Sequence, residues 1–319
     1  MKILPVVLAI TGFLPVVLSA QTSPASGAGD AYAKSEAHLK AYYAAMLPKL
    51  PAGTVKIIDQ SYVDQEKRGI DPSSSQKLDL FVPPGDGPFP LVVNIHGGGW
   101  HAGGKEGGIG MAMTYIPKGF ALASITYRWV QDAPFPAQID DCNAALAWLR
   151  AHAAEYHLDP DKIGVSGHSA GAHLCALIAA TGDTHTFKNA QKVQAAVCYS
   201  GPFDMDRDRG NWPHNSFLWN PRDKMMSFFP GGNGYDATVA RQASPETYVH
   251  AGMPPILIFN GDQDRLVPTG QAQVFANDLK KAGVDVTFHL EPGKDHGTAV
   301  NPQSRAEALA FFQKNLQSK

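Results

Sequence analysis

The chain has 319 residues, 44% of them hydrophobic and 18% charged, enough to bury a sizeable core in one or two domains. Its formal net charge of −2 argues against a basic nucleic-acid surface or a polybasic membrane patch. The twelve histidines fall in no metal-ligand spacing and no Cys-x-x-Cys occurs, so neither a metal site nor a cofactor is expected.

Met1-Lys2 precede an apolar run from Ile3 to Leu18, followed by Ser19-Ala20-Gln21. That order reads as a secretory signal, residues 1–20, cut after Ala20, and predicts a secreted or periplasmic protein with no stable membrane insertion after cleavage. A membrane anchor is the competing reading. Pro5, Gly12 and Pro15 interrupt the run, which is short against the roughly 20 residues of a span. Leu18 is large for its place before the cut, so Val17 and Ser19 define a second possible site.

Residues 21–54 read as a leader and a helix, with Ala31 to Leu47 helix-prone and Pro48 to Gly53 ending it. One domain follows, from 55 to 319. Two alternating runs, Val55–Val63 and Lys77–Val82, predict antiparallel strands around the polar loop Asp64–Ser75. Beyond the Pro83–Pro88 turn cluster, strands alternate with helices. Strands are expected at Leu91–Ile95, Ala121–Tyr127, Ile163–Val165, Val193–Cys198, Ile256–Phe259 and Val284–Leu290. Helices are expected from Pro136 to Tyr156, Ala170 to Thr181 and Pro268 to Ala282, the last stopped by Gly283. A terminal helix starts at Asn301-Pro302 and turns Ala306, Leu309, Phe312 and Leu316 inward. This alternation predicts an α/β fold: a mostly parallel central sheet flanked by helices, with antiparallel N-terminal strands. Any active site then lies at the carboxyl ends of the strands.

Residues 201–234 break the rhythm. Trp212, Phe217, Trp219, Phe228 and Phe229 stand among polar residues without a period, which predicts a lid-like insertion over the site. Cys142, Cys175 and Cys198 sit on apolar stretches and read as buried free thiols, with one bridge left open.

Gly167-His168-Ser169-Ala170-Gly171 joins an apolar strand to a helix, the setting of a nucleophile elbow that holds Ser169 above the sheet. A serine hydroxyl is a weak nucleophile at neutral pH and needs a histidine base oriented by an acid. Downstream of Ser169, two acids follow one strand, Asp262 and Asp264; Asp264 stands farther out on its loop and Asp262 suits a turn cap. After the last strand comes His296 on a glycine-bounded loop; His289 and His250 are its rivals and read as structural. The oxyanion needs backbone donors. Ala170 offers one, and Gly98 and Gly99 of His96-Gly97-Gly98-Gly99-Trp100 offer others. His96 is expected to brace that loop and Trp100 to anchor the pocket side, and both join His168 in a candidate substrate pocket. An Arg128–Asp141 ion pair is expected near the elbow.

Taken together, HGGGW, Tyr127-Arg128, Phe135–Asp141, GHSAG, Gly261–Pro268 and Asp295-His296-Gly297 resemble the α/β-hydrolase esterases. The resemblance runs from about Val55 to Leu316, nearest the secreted branch grouped with hormone-sensitive-lipase-like and feruloyl- or acetyl-xylan-esterase-like enzymes. It implies Ser169, Asp264 and His296 as a triad and Gly98, Gly99 and Ala170 as oxyanion donors. Trp129–Asp132 departs from the Leu-Ala-Pro common in relatives, and Asp204–Gly232 is particular to this chain. The expected activity is a serine carboxylesterase acting through an acyl-enzyme on short-acyl esters, acetyl or feruloyl esters of plant polysaccharide among them. Its partners are then small-molecule or glycan-ester substrates. An arylformamidase-like amide hydrolase and a catalytically silent binding protein are the alternatives. Oligomeric state is not legible.

Overall fold

The computed structural model describes residues 27–63, 76–206, 235–297 and 301–317. The expected signal at 1–20, the loop Asp64–Ser75 and residues 207–234 of the expected insertion lie outside them. In chain order the strands are β1 Val55–Ser61, β2 Lys77–Val82, β3 Phe89–Ile95, β4 Ala121–Ile125, β5 Leu158–His168, β6 Ala195–Tyr199, β7 Ile256–Gly261 and β8 Val286–Glu291. They form a single eight-stranded sheet in the order β1-β2-β4-β3-β5-β6-β7-β8. The β1–β2 and β2–β4 pairs are antiparallel and every later pair is parallel, as the sequence pattern predicts. The parallel strands read as continuous apolar runs because both faces of the sheet are covered.

The helices are α1 Gly27–Met46, α2 Ile109–Tyr115, α3 Ala137–Ala151, α4 Ala170–Thr181, α5 Ala237–Ala243, α6 Thr269–Lys281 and α7 Pro302–Phe312. Alternate residues of one strand feed opposite layers. Leu91, Val93 and Ile95 of β3 pack with α3, α4 and α6, whereas Val92 packs on the other side with α1, α2 and α7. All twelve residues of α4 are buried, so its apolar composition has no polar face to spare. Asn301 caps α7 by accepting from the Gln303 amide at 2.9 Å, and Gly283 takes φ 80° after α6.

Some expectations shift. In α7 the inward stripe is Ser304, Ala308 and Phe312, continued by Leu316, while Ala306 is exposed. Gly164 explains the choice of residue on the sheet side: a Cβ there would stand 2.5 Å from the Phe312 ring. Helices α2 and α5 are seven residues each and carry too few turns to show a period. Cys142, Cys175 and Cys198 are all buried and free, and burial pushes each thiol pKa up.

A buried ionic cluster ties α1 to the loop after β3. Lys105 Nζ lies 2.8 Å from Asp59, 2.9 Å from Asp79 and 3.8 Å from Glu106, and Tyr43 of α1 donates to Asp79 at 2.5 Å. The Asp79 side chain is fully buried, so its charge depends on this cation and on the Asp59 amide. Replacing Lys105 with Ala is expected to destabilise the fold by about 3 kcal/mol, read as a lowered urea midpoint, because a buried carboxylate loses its partner.

Candidate active site

Four loops meet at the carboxyl edge of the sheet, following β3, β5, β7 and β8. Ser169 stands between β5 and α4 with φ 57° and ψ −120°, a backbone conformation that costs energy for a residue bearing a Cβ. The surrounding glycines make it possible. A Cβ on Gly167 would run into the backbone of Gly171, and one on Gly171 into the carbonyls of Ile95 and His96. The turn is secured by the Ser169 amide, which donates to the Tyr199 carbonyl of β6 at 2.8 Å, and by the His173 amide, which donates to the Ser169 carbonyl at 3.0 Å.

The two acids after β7 separate cleanly. Asp264 Oδ1 accepts the amides of Leu266 at 2.9 Å and Val267 at 2.8 Å, leaving Oδ2 for His296 Nδ1 at 2.8 Å. The Asp264 side chain is wholly buried in this pair. Because a carboxylate accepts, Nδ1 carries the proton and Nε2 keeps its lone pair. Asp262 instead accepts the Gly293 amide at 2.7 Å and caps the neighbouring loop. The rival histidines have structural partners. His289 stacks on Phe259 and faces Glu307 at 3.2 Å, and His250 faces Asp183 at 3.3 Å.

In the loop after β3, Gly98, Gly99 and Trp100 take φ 113°, 59° and 60°. The amides of Gly98, Gly99 and Ala170 donate to no acceptor among the described residues. Gly98 also fits a close turn, its carbonyl accepting the amides of His101 and Ala102, both at 3.1 Å. The Trp129–Asp132 segment supports this loop from behind: the Val130 amide donates to the Trp100 carbonyl at 2.9 Å and Gln131 Nε2 to the His101 carbonyl at 3.1 Å. Arg128 forms the expected pair with Asp141, two-pronged at 2.9 and 2.8 Å, and Gln76 adds a bond to the same carboxylate at 2.6 Å. That pair anchors the support loop to α3.

Of three residues expected to line the substrate pocket, Trp100 and His96 turn inward instead, and His168 is half-buried. Trp100 is 1% exposed, because its indole N–H donates to His173 Nδ1 at 3.3 Å inside the core. His96 is buried, stacked on Tyr127 with ring centres 4.3 Å apart, and its Nδ1 donates to the Gly97 carbonyl at 2.7 Å. It braces the loop, which is the part of its reading that the structure keeps. His168 turns to the loop after β8, its Nε2 donating to the His296 carbonyl at 2.6 Å. Sequence reading missed His173. Its place one helical turn after Ser169 is the available signal, since that position faces the loop of Trp100. Nε2 of His173 donates to the Ala243 carbonyl at 2.6 Å, so both ring nitrogens are used and the neutral tautomer is set.

Among the described residues there is no group of three or more His, Cys, Asp or Glu that could hold a metal ion. No described helix is long and apolar enough to cross a membrane.

A family model described as BD-FAE matches residues 78–279 of this chain. The chain is 32% identical over 239 residues to "Esterase LipQ" of Mycobacterium tuberculosis, the match covering 70% of this chain and 54% of that protein. The chain thus spans about half the length of that relative, and of "Probable carboxylic ester hydrolase LipM" (53%) from the same organism. Among solved structures, a truncated carbohydrate esterase from gut microbiota superposes with a TM-score of 0.71 at 26% identity, covering 83% of this chain and 97% of that one. These similarities place the eight-stranded sheet in the α/β-hydrolase fold.

Burial holds the imidazoles of His96, His168 and His173 down to about 4, below the usual value near 6.5. The folded protein therefore refuses protons that the unfolded chain accepts. Stability from these groups is complete above about pH 6.5 and is lost as pH falls from there toward 4. Urea melts across that window are expected to show a falling midpoint. In His173→Gln the slope should flatten by roughly 1.4 kcal/mol per pH unit at its steepest, since one group no longer titrates.

Proposed function

The chain belongs to the BD-FAE family, and on that premise we propose that it is a serine carboxylesterase acting on short-acyl esters through an acyl-enzyme. The observation that carries the proposal is the Asp264–His296 pair at 2.8 Å, placed by strand ends on a loop that touches the residue beside Ser169. Esterase names among the relatives and structural neighbours support the same reaction class.

In this mechanism Nε2 of His296 takes the proton of Ser169 Oγ as the oxygen attacks the ester carbonyl. Asp264 holds the ring by its Nδ1–H and stabilises the imidazolium that forms. The negative oxygen of the tetrahedral intermediate lies against the unengaged amides of Gly98, Gly99 and Ala170. His296 returns its proton to the departing alcohol. A water molecule, deprotonated by the same nitrogen, then releases the acid and restores the serine. The acyl group is short, acetyl before feruloyl, and the alcohol is a carbohydrate, a choice supported by the carbohydrate esterase likeness. Export through residues 1–20 belongs to the same reading. N-terminal sequencing of the protein recovered from the producing cell's periplasm or medium tests it, and a chain still starting at Met1 counts against it.

Ser169→Ala is expected to lower kcat for 4-nitrophenyl acetate by about 10⁴-fold or more, and Asp264→Asn by roughly 10³- to 10⁴-fold with KM little changed. Wild-type hydrolysis by Ser169→Ala would overturn the mechanism. With nitrophenyl esters of increasing chain length, kcat/KM should fall beyond butyrate, and acetylated xylan should release acid faster than feruloylated xylan. An aryl formamide turned over faster than any ester would favour amide chemistry instead.

A further inference from the structure

Nucleophile and base stand far apart in the sheet. Ser169 follows β5 near its centre, whereas His296 follows β8 at its edge, and β6 and β7 lie between. Three steps of about 4.8 Å each separate the two strands, so the base loop must lean back across the sheet to reach the serine. Most of its ties lead only as far as β7. The Gln263 amide donates to the Lys294 carbonyl at 2.9 Å, the Gly293 amide to Asp262 at 2.7 Å, and His296 Nδ1 to Asp264 at 2.8 Å. These set the base against its acid and leave its distance to the nucleophile open.

Among the described residues, one hydrogen bond runs from this loop to the nucleophile's own strand. His168 Nε2 lies 2.6 Å from the main-chain oxygen of His296, and the two rings stand 4.8 Å apart at 53°. A carbonyl oxygen can only accept, so Nε2 carries the hydrogen and the tautomer of His168 is fixed. The loop after β3 also comes close to His168 at Gly97. A Cβ there would stand 2.7 Å from the His168 carbonyl and 3.4 Å from its Nδ1, so the glycine lets the oxyanion loop close on the same side chain.

We propose that His168 is a positioning residue: its Nε2–H holds the His296 main chain and so sets the distance from the base to Ser169. This rests on the esterase reading. His168 Nε2 is engaged by the His296 carbonyl, so loss of that bond acts on the chemical step, where misplacement by about 1 Å costs on the order of 10²-fold.

The test compares wild type with His168→Gln, which keeps an N–H donor, and His168→Leu, which fills the space without one. For 4-nitrophenyl acetate, kcat in His168→Leu is expected to fall 10- to 100-fold with KM within about threefold, and His168→Gln to recover most of the loss. The rate at which a fluorophosphonate labels Ser169 should fall and recover in parallel. His168→Leu within twofold of wild type, or equal losses in both variants, overturns the proposal. Ser169→Ala measured alongside separates the two ideas. If it keeps ester hydrolysis, the esterase reading fails, while the labelling rates still decide whether His168 sets the Ser169–His296 pair. If His168→Leu does not fold, nitrogen-15 spectra of the wild type, assigned with His168→Gln, decide: a proton on Nε2 of His168 supports the tie, and one on Nδ1 overturns it.

Discussion

The backbone of Ser169 is the constraint from which the site follows. Held at φ 57° and ψ −120°, the serine can sit between β5 and α4 only if its neighbours leave room on every side. Gly167 and Gly171 supply that room, one by letting the first turn of α4 fold over the strand end, the other by letting that turn rest on the β3 carbonyls. The close approach has a second effect. It brings the loop after β3 against the elbow, so the amides of Gly98 and Gly99 and that of Ala170 are delivered by one piece of packing. The strained residue is paid for by the apolar helix behind it, whose twelve residues are all buried.

Around that turn, buried neutral histidines serve as rigid spacers. A neutral imidazole offers one donor and one acceptor on opposite sides of a flat ring, so it can join two backbone elements at a defined separation. His173 joins Trp100 of the β3 loop to the Ala243 carbonyl, and His96 packs on Tyr127 while bonding within its own loop. Burial keeps both uncharged at neutral pH. His296 differs in its partner, since its Nδ1 donates to the Asp264 carboxylate at 2.8 Å. The same residue type thus takes different partners: an indole N–H and a carbonyl for His173, a carboxylate for His296.

Much of this was legible in the sequence because the strands announce themselves. Continuous apolar runs marked β3, β6 and β7, and the loops directly after strands then held Ser169, Asp264 and His296 in the order expected on an α/β-hydrolase scaffold. Asp264 could be preferred over Asp262 only by its distance from the strand end; the structure separates them by what each accepts. Short helices such as α2 and α5 escaped notice, because seven residues hold barely two turns. In α7 the inward face is offset, with Ala308 buried where Ala306 was expected, since small alanines at neighbouring positions weigh alike in a periodic pattern.

Residue type and spacing along the chain therefore determined the fold class, the strand ends and the residues that meet there, because these depend on local propensity and on burial of whole segments. Side-chain direction was decided only by the tertiary structure. His96, Trp100 and His168 carry the composition of a substrate pocket, yet each turns to a partner remote in sequence or to its own loop: Trp100 to His173, His168 to His296, His96 to Tyr127 and Gly97. Nothing in a one-dimensional pattern says which way an amphipathic ring will face. That depends on which unpaired donors and acceptors the completed packing leaves beside it.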